Sequence, residues 1–273
     1  MMIKSLKHSL SSLKLAKKAT SALFNDAIFS SLISRYFDSE TPNNPFINPN
    51  ITTSANTIYY ETLYQLIIDK ESTNQEIQAI ALKFQKILSL EIQQDTIQRM
   101  LYGEYADHIT DSGGCYDILP TDFECKHCHQ KFSSKEVPNK QNSININVFP
   151  SLTTIWHHQR LINNFKSIGT FLNNPFKSTY NNRADFFFPL NLTIIYNGNH
   201  SANVALYETN STIKTFYTYD VSDWFKSIYY DPCTNTFNHL TCGKSLTPNP
   251  VFHQNIGYIY EISRLLYLNN IFS

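Results

Sequence analysis

The segment "TIIYNGNHSANVALYE", from Thr193 to Glu208, decides the fold prediction. Its apolar beginning is typical of a buried strand, and its second half, Ser201–Tyr207, is typical of a helix. Gly198 and Asn199 lie between the two, and both residue types tolerate the backbone conformations of a tight turn. The segment therefore predicts a strand, a turn and a helix in direct succession, within an α+β fold.

The pattern on either side extends this α+β prediction over residues 146–273. Short apolar or alternating runs between turn residues predict strands, and apolar residues at helical spacing predict helices. The predicted strands are Ile146–Phe149, Phe186–Phe188, Leu192–Tyr196 and Thr212–Tyr219. The predicted helices are Ile155–Ile168 with Gly169 as its C-cap, Ser201–Tyr207 and Ile256–Leu268.

Residues 1–105 predict a helical region that precedes the α+β domain. A first helix is expected within residues 3–37, either packed on its own domain or lying on a membrane surface. Further helices are predicted at Thr57–Asp69 and, behind a capping box at Thr73–Glu76, up to about Leu101. Residues 106–145 then form a linker or an inserted module that carries a cysteine pair.

Composition narrows the class of protein. The chain has 273 residues, no formal net charge and five cysteines. A neutral chain has no global attraction to nucleic acid or anionic lipid, so nucleic-acid binding would need a local basic patch. No apolar run is long enough for a transmembrane helix, and the cysteines are too few for a secreted disulfide scaffold. We expect a cytoplasmic protein.

The turn at Gly198–Ser201 is the predicted functional centre. A helix that starts directly after a turn presents unpaired backbone N–H groups, which favour an anion such as the phosphate of a nucleotide. His200 is the candidate catalytic group, with Asp220 as a second one. The candidate binding residues are Gly198, Asn199, Ser201 and Arg160. The alternative is structural, because Asn-Gly turns and serine helix caps also occur without any ligand.

This turn resembles the nucleotide-binding box of ParB-like partition proteins and sulfiredoxin. That box is a strand, then Gly-x-His-Arg, then a helix with a small residue soon after. Gly198, His200 and Ala205 match, whereas Ser201 stands in place of the arginine. The resemblance implies a ParB/sulfiredoxin-like domain that binds a nucleotide, with weaker clamping of the phosphate because serine carries no charge.

Residues 146–268 also resemble an uncharacterised bacterial family, a domain of unknown function with a Gly-Gly-Asn-His-Ser box. Arg183 stands where that family has a histidine, and Asn197 stands where it has the first glycine. The resemblance implies kinship and no activity. The matching blocks are Phe149-Pro150, Trp156, Arg160-Leu161, Ile168-Gly169, Asn181–Arg183, Phe188-Pro189, Gly198–Ser201, Tyr219–Ser222 and Glu261–Leu265.

The motif Cys125-Lys-His-Cys128 resembles one knuckle of a zinc ribbon. Two thiolates at this spacing can bind one metal ion, but a structural zinc site needs about four ligands. A second Cys-x-x-Cys is absent from the sequence. The candidates to complete the site are Cys115, His127, His129, Cys233 and Cys242. The alternatives are buried free thiols, or a ribbon that no longer holds zinc.

Two functions follow from these motifs. The first is a protein that binds a nucleotide or phosphate at Gly198–Ser201, with Mg²⁺ accompanying the nucleotide and with hydrolase or nuclease activity through His200. The second is a non-catalytic module that docks protein or DNA and is stabilised by a zinc knuckle. The third hypothesis is a plain scaffold, in which the turn is only the start of a helix.

Overall fold

The computed structural model describes residues 57–101, 118–138, 142–248 and 251–272. These residues belong to one compact unit, Thr53–Ser273. Five α-helices and three sheets make up this part of the chain, which confirms the α+β prediction. The helix predicted within residues 3–37 lies outside the described residues.

The described residues contain five α-helices of different lengths. The helices are α1 Thr57–Asp69, α2 Asn74–Leu101, α3 His158–Ser167, α4 Asn199–Ala205 and α5 Gln254–Leu268. Helices α1 and α2 come before all the strands, and α5 comes after them. Two short 3-10 helices, Thr170–Leu172 and Ser222–Lys226, follow α3 and the longest strand. None of these helices is long and apolar enough to cross a bilayer.

The strands form one mixed main sheet and two smaller sheets. The strands are β1 Asp122–Cys125, β2 Lys131–Ser133, β3 Lys135–Glu136, β4 Ser143–Asn145, β5 Ser151–Thr153, β6 Arg183–Phe188, β7 Leu192–Asn197, β8 Thr212–Asp220, β9 Ile228–Asp231, β10 Thr236–His239 and β11 Leu246–Thr247. The main sheet runs β5-β7-β6-β8, with β3 and β4 both paired to β8. The smaller sheets are β11-β1-β2 and β9-β10.

The register of the main sheet places the start of β6 beside the end of β7. Arg183 pairs with Asn197 across the antiparallel β6–β7 ladder, and Phe187 pairs with Leu192. On the other side of β6, the parallel ladder pairs Phe188 with Asp220. The turn after β7 and the end of β8 therefore lie at opposite ends of the sheet.

The local patterns are confirmed for most elements. Helix α1 has the predicted bounds, and the capping box before α2 is present. The Thr73 N–H donates to Glu76 Oε2 at 2.8 Å, and the Glu76 N–H donates to Thr73 Oγ1 at 3.3 Å. The strands predicted at Phe186–Phe188, Leu192–Tyr196 and Thr212–Tyr219 lie within β6, β7 and β8. Helices α3, α4 and α5 begin two or three residues from their predicted starts and end within two residues of their predicted ends.

The strand predicted at Ile146–Phe149 is wrong. These residues form a turn between β4 and β5, since the Phe149 N–H donates to the Asn145 carbonyl at 3.0 Å. The side chain of Asn145 also accepts from the Asn147 N–H at 3.0 Å. Local hydrogen bonding of this kind offers the backbone an alternative to a sheet ladder. The predicted C-cap at Gly169 is also displaced, because Ile168 caps α3.

Helix α2 connects the helices to the main sheet through buried polar side chains. Gln85 Nε2 donates to Ser263 Oγ on α5 at 2.6 Å. Gln93 Oε1 accepts from Thr153 Oγ1 on β5 at 2.6 Å and from Asn203 Nδ2 on α4 at 2.9 Å. These bonds hold α4, and therefore the turn before it, against α2. The three-part division at residues 105 and 145 stays a prediction.

Candidate functional site

The turn between β7 and α4 requires glycine at position 198. Gly198 is the N-cap of α4 and has φ 70°, in the left-handed region that favours glycine. A Cβ atom at this position would lie 2.3 Å from Nδ2 of Asn182 and 3.1 Å from the Asn181 carbonyl oxygen. Glycine therefore allows the chain before β6 to pack directly against the turn.

His200 is buried and its hydrogen bonding defines its tautomer. Its Nε2 accepts from the backbone N–H of His157 at 3.1 Å, so the neutral ring carries its proton on Nδ1. The Trp156 ring packs edge-on at 5.2 Å between centroids. Burial, then the positive charge of Arg160, then His157 lower the pKa of His200 from its usual 6.5 to about 4. The imidazole is neutral at pH 7.

Arg160 lies with His200 around a shared cavity of 330 Å³. Its guanidinium lies over the Trp156 ring, 4.7 Å from the centroid. Asn163, Asn164, Gly198 and Ser201 complete the lining. Four of the predicted site residues, Arg160, Gly198, His200 and Ser201, are thus brought together around one cavity that contains a cation and a neutral imidazole.

The side chains of Asn199 and Ser201 are already engaged by the protein. Asn199 Nδ2 donates to Thr154 Oγ1 at 2.9 Å, and the residue is buried. Ser201 Oγ donates to the Gly198 carbonyl at 3.0 Å and accepts from Asn182 Nδ2 at 3.3 Å. Asn199 is absent from the lining of the cavity, so its side chain holds the turn in place.

Asp220 lies at the other end of the main sheet from His200. Its Oδ1 accepts at 2.9 Å from the N–H of Ser222, the first residue of the 3-10 helix that follows β8. Strand β6 separates the two positions, because its first residue neighbours the end of β7 and its last residue neighbours Asp220. Asp220 and His200 therefore do not share one site.

A second cluster of functional side chains forms where β1 meets the β10–β11 turn. Cys125, Cys128, His239 and Cys242 offer ligand atoms that all lie within 4.8 Å of one another. The Sγ atoms of Cys125 and Cys242 are 3.4 Å apart. His239 Nδ1 lies 3.4 Å from Cys128 Sγ and 3.2 Å from Cys242 Sγ. This set can bind a metal such as zinc.

Three distances within the cluster are slightly shorter than those of a tetrahedral zinc site. Zn–S bonds of about 2.3 Å place two thiolates of a tetrahedron about 3.8 Å apart, and a thiolate and an imidazole nitrogen about 3.5 Å apart. Burial raises the pKa of the Cys125 thiol, but the backbone N–H groups of Cys128 and His127 and the Cys242 thiol bring it down to about 7. Thiolate is the form that binds metal.

One of the residues that the sequence offered as further metal ligands belongs to the cluster, and this residue is Cys242. His127, His129 and Cys233 are outside the cluster, and Cys115 lies outside the described residues. The sequence reasoning missed His239. A signal for it exists, since His239-Leu-Thr-Cys242 has the same spacing as Cys125-Lys-His-Cys128. Each motif is followed by a residue with positive φ, His129 at 57° and Gly243 at 61°.

The fold and the two sites define an α+β protein with a Cys₃His cluster and a cationic cavity beside a strand-turn-helix unit. The chain belongs to a family of unknown function, DUF6710, whose model matches residues 43–273. No curated protein and no solved structure matches the chain significantly. Kinship with a family of unknown function is therefore confirmed, and it brings no activity with it.

Proposed function

We propose that the protein is a binding protein whose fold is stabilised by a structural zinc ion. The observation that carries the zinc site is the convergence of three cysteines and one histidine, whose ligand atoms all lie within 4.8 Å of one another. Four protein ligands leave no open position for substrate or water, which is typical of structural zinc. Phe132 supports this role, because its ring packs against His239 at 5.2 Å and shields the cluster.

The zinc content of the purified protein tests this proposal. We expect one zinc ion per chain by elemental analysis, and Co²⁺ in its place should give thiolate charge-transfer absorption. Cys242→Ser should lose most of the bound metal. Cys233→Ser is the matched control, since Cys233 is exposed and outside the cluster. Wild-type protein that holds no metal after reconstitution with zinc would overturn the proposal.

A second candidate function is the binding of a phosphate-bearing ligand, such as a nucleotide, in the Arg160–His200 cavity. Arg160 supplies a permanent positive charge at the cavity. The Nδ1–H of the neutral His200 has no hydrogen-bond partner among the described residues, and it can donate to a phosphate oxygen. The resemblance of Gly198–Ser201 to the ParB/sulfiredoxin nucleotide box supports the same ligand class.

This arrangement favours binding over proton transfer. The Nε2 of His200 already accepts a backbone hydrogen bond, and the other nitrogen is a donor, so the ring has no free acceptor for a substrate proton. Hydrolase or nuclease activity would therefore require a change at His200 when the ligand binds. Release of inorganic phosphate from a nucleotide, abolished in His200→Ala, would demonstrate such an activity.

Thermal-shift titration with nucleotides and inorganic phosphate, with and without Mg²⁺, tests the second candidate. We expect stabilisation by phosphate-bearing compounds that is lost in Arg160→Gln. Lys166→Gln is the control, because Lys166 is on the same helix but away from the cavity. Equal shifts in wild type and Arg160→Gln would exclude this cavity. Salt-sensitive retention of DNA on filters, without any nucleotide effect, would favour the alternative, a non-catalytic module that docks DNA.

A further inference from the structure

A second cavity, of 500 Å³, lies along β8. Its lining combines two aromatic rings, from Tyr180 and Phe216, with the ammonium group of Lys214. Ser178 and Thr212 add hydroxyl groups. Aromatic faces beside hydroxyl and cationic groups suit a ligand that has a flat ring, a sugar and a negative charge.

The two aromatic rings are unusually open to solvent. Tyr180 is 83% exposed and Phe216 is 43% exposed. The guanidinium of Arg183 lies over the Phe216 ring, 5.2 Å from its centroid, and so adds a second cation at this place. A nucleobase can stack on such rings whatever its sequence identity, because every base has a π face.

The second cavity adjoins the Arg160–His200 cavity through Asn182. Asn182 lines the second cavity, and its Nδ2 donates to Ser201 Oγ at 3.3 Å and to the Gly198 carbonyl at 3.4 Å. Gly198 and Ser201 both line the first cavity. The side chain of Asn182 therefore joins the linings of the two cavities through two hydrogen bonds.

We propose that the two cavities form one nucleotide site, in which the phosphate lies beside Arg160 and His200 and the base stacks on Tyr180 and Phe216. The sugar binds the hydroxyl groups of Ser178 and Thr212, which also line the second cavity. This inference rests on the phosphate-binding function proposed above for the first cavity. It adds the substrate class, which is a nucleoside 5′-phosphate and not a simple phosphate ester.

Isothermal titration of the full chain with four nucleoside 5′-monophosphates, ribose 5-phosphate and inorganic phosphate tests the inference. Wild type should bind at least one nucleotide at least about fivefold more tightly than ribose 5-phosphate, as expected for stacking of one base. Tyr180→Leu should remove that preference and leave the affinity for ribose 5-phosphate unchanged. Arg160→Gln should weaken all the phosphate compounds. Tyr180 is exposed, so its replacement should not disturb the fold.

Tyr217→Leu is the matched control for Phe216→Leu. The two residues are adjacent on β8 and similarly exposed, but only Phe216 lines the cavity. Equal affinities of wild type for nucleotide and ribose 5-phosphate would overturn the base subsite while the phosphate site stands. A nucleotide preference that survives Tyr180→Leu and Phe216→Leu would overturn it too. Wild type that binds none of the compounds would overturn both proposals.

Discussion

His200 shows how one buried side chain can be tuned by its surroundings. The ring contacts Trp156, accepts from the His157 N–H, and lies near the guanidinium of Arg160. Burial and the arginine charge both penalise the protonated form, so the folded protein holds the imidazole neutral. The unfolded chain imposes no such penalty, and its His200 titrates near 6.5.

This difference predicts that acid destabilises the protein through His200. As the pH falls below about 6.5, the unfolded chain takes up a proton that the folded state accepts only near pH 4. The stabilisation is therefore complete above pH 6.5, and about 2 kcal/mol of the free energy of unfolding is lost between pH 7 and pH 5. Urea unfolding at both pH values measures it.

The comparison with His200→Asn isolates this contribution, because burial also lowers the pKa of His253. The variant should lose about 2 kcal/mol less than wild type over the same pH interval. His158→Asn, an exposed change on α3, should behave as wild type. Identical pH dependence in wild type and His200→Asn would contradict the prediction.

At the scale of elements, α2 determines where α4 and the turn before it lie. Gln93 is buried and its Oε1 accepts from the backbone N–H and hydroxyl of Thr153 and from Asn203 Nδ2. One side chain thus joins a helix, the edge strand β5 and α4. Lys86 adds a second connection, since its Nζ donates to the carbonyls of Ile146 at 2.6 Å and Phe149 at 3.2 Å.

Replacing Gln93 with leucine should destabilise the protein by about 2–4 kcal/mol. The substitution has similar volume, but it removes the acceptor of the buried Thr153 N–H and hydroxyl, and each such group costs about 1–3 kcal/mol. Asn203 Nδ2 keeps a second acceptor, Thr153 Oγ1, at 3.0 Å. Urea unfolding followed by circular dichroism measures the change. Gln94→Leu is the control, because Gln94 is exposed on the same helix, and we expect less than about 0.5 kcal/mol there. Equal effects of the two changes would contradict this account.

At the scale of the whole molecule, the Cys₃His cluster joins segments far apart in the chain. Strands β1 and β11 pair beside it, with Glu124 opposite Thr247. Behind the cluster, Phe123 packs edge-on against Trp224 at 5.1 Å and Phe237 at 5.2 Å. A metal bound here would close a loop from Cys125 to Cys242 and restrict the unfolded chain, as a disulfide does.

Removal of zinc should therefore lower the midpoint of thermal unfolding by roughly 10 °C, given the free energy typical of closing a loop of this length. Differential scanning fluorimetry with and without a chelator measures the shift. Cys233→Ser should respond as wild type, whereas Cys128→Ser should melt low with or without chelator. If the wild type binds zinc but melts at the same temperature after the metal is completely removed, the ion does not stabilise the fold.

Local physics made several elements predictable from the sequence. The capping box at Thr73–Glu76, helix α1 and the strands β6, β7 and β8 follow from hydrogen bonds and apolar periodicity within a few residues. The turn at Gly198 was predictable for the same reason, because glycine there adopts a positive φ. The wrong strand prediction at Ile146–Phe149 also has a local cause, since the hydrogen bond that the Asn145 side chain accepts from the Asn147 N–H competes with strand pairing.

By itself, the sequence determined the α+β class, the strand-turn-helix unit and one cysteine pair, because their causes lie within short segments of chain. Only the tertiary structure decided which distant side chains meet. His239 joins Cys128 across 111 positions, and His200 accepts from His157 across 43. Asp220 lies far from His200 because β6 pairs its first residue with the end of β7 and its last residue with Asp220. Strand order and register are set by packing of the whole core, which periodicity along one segment does not specify.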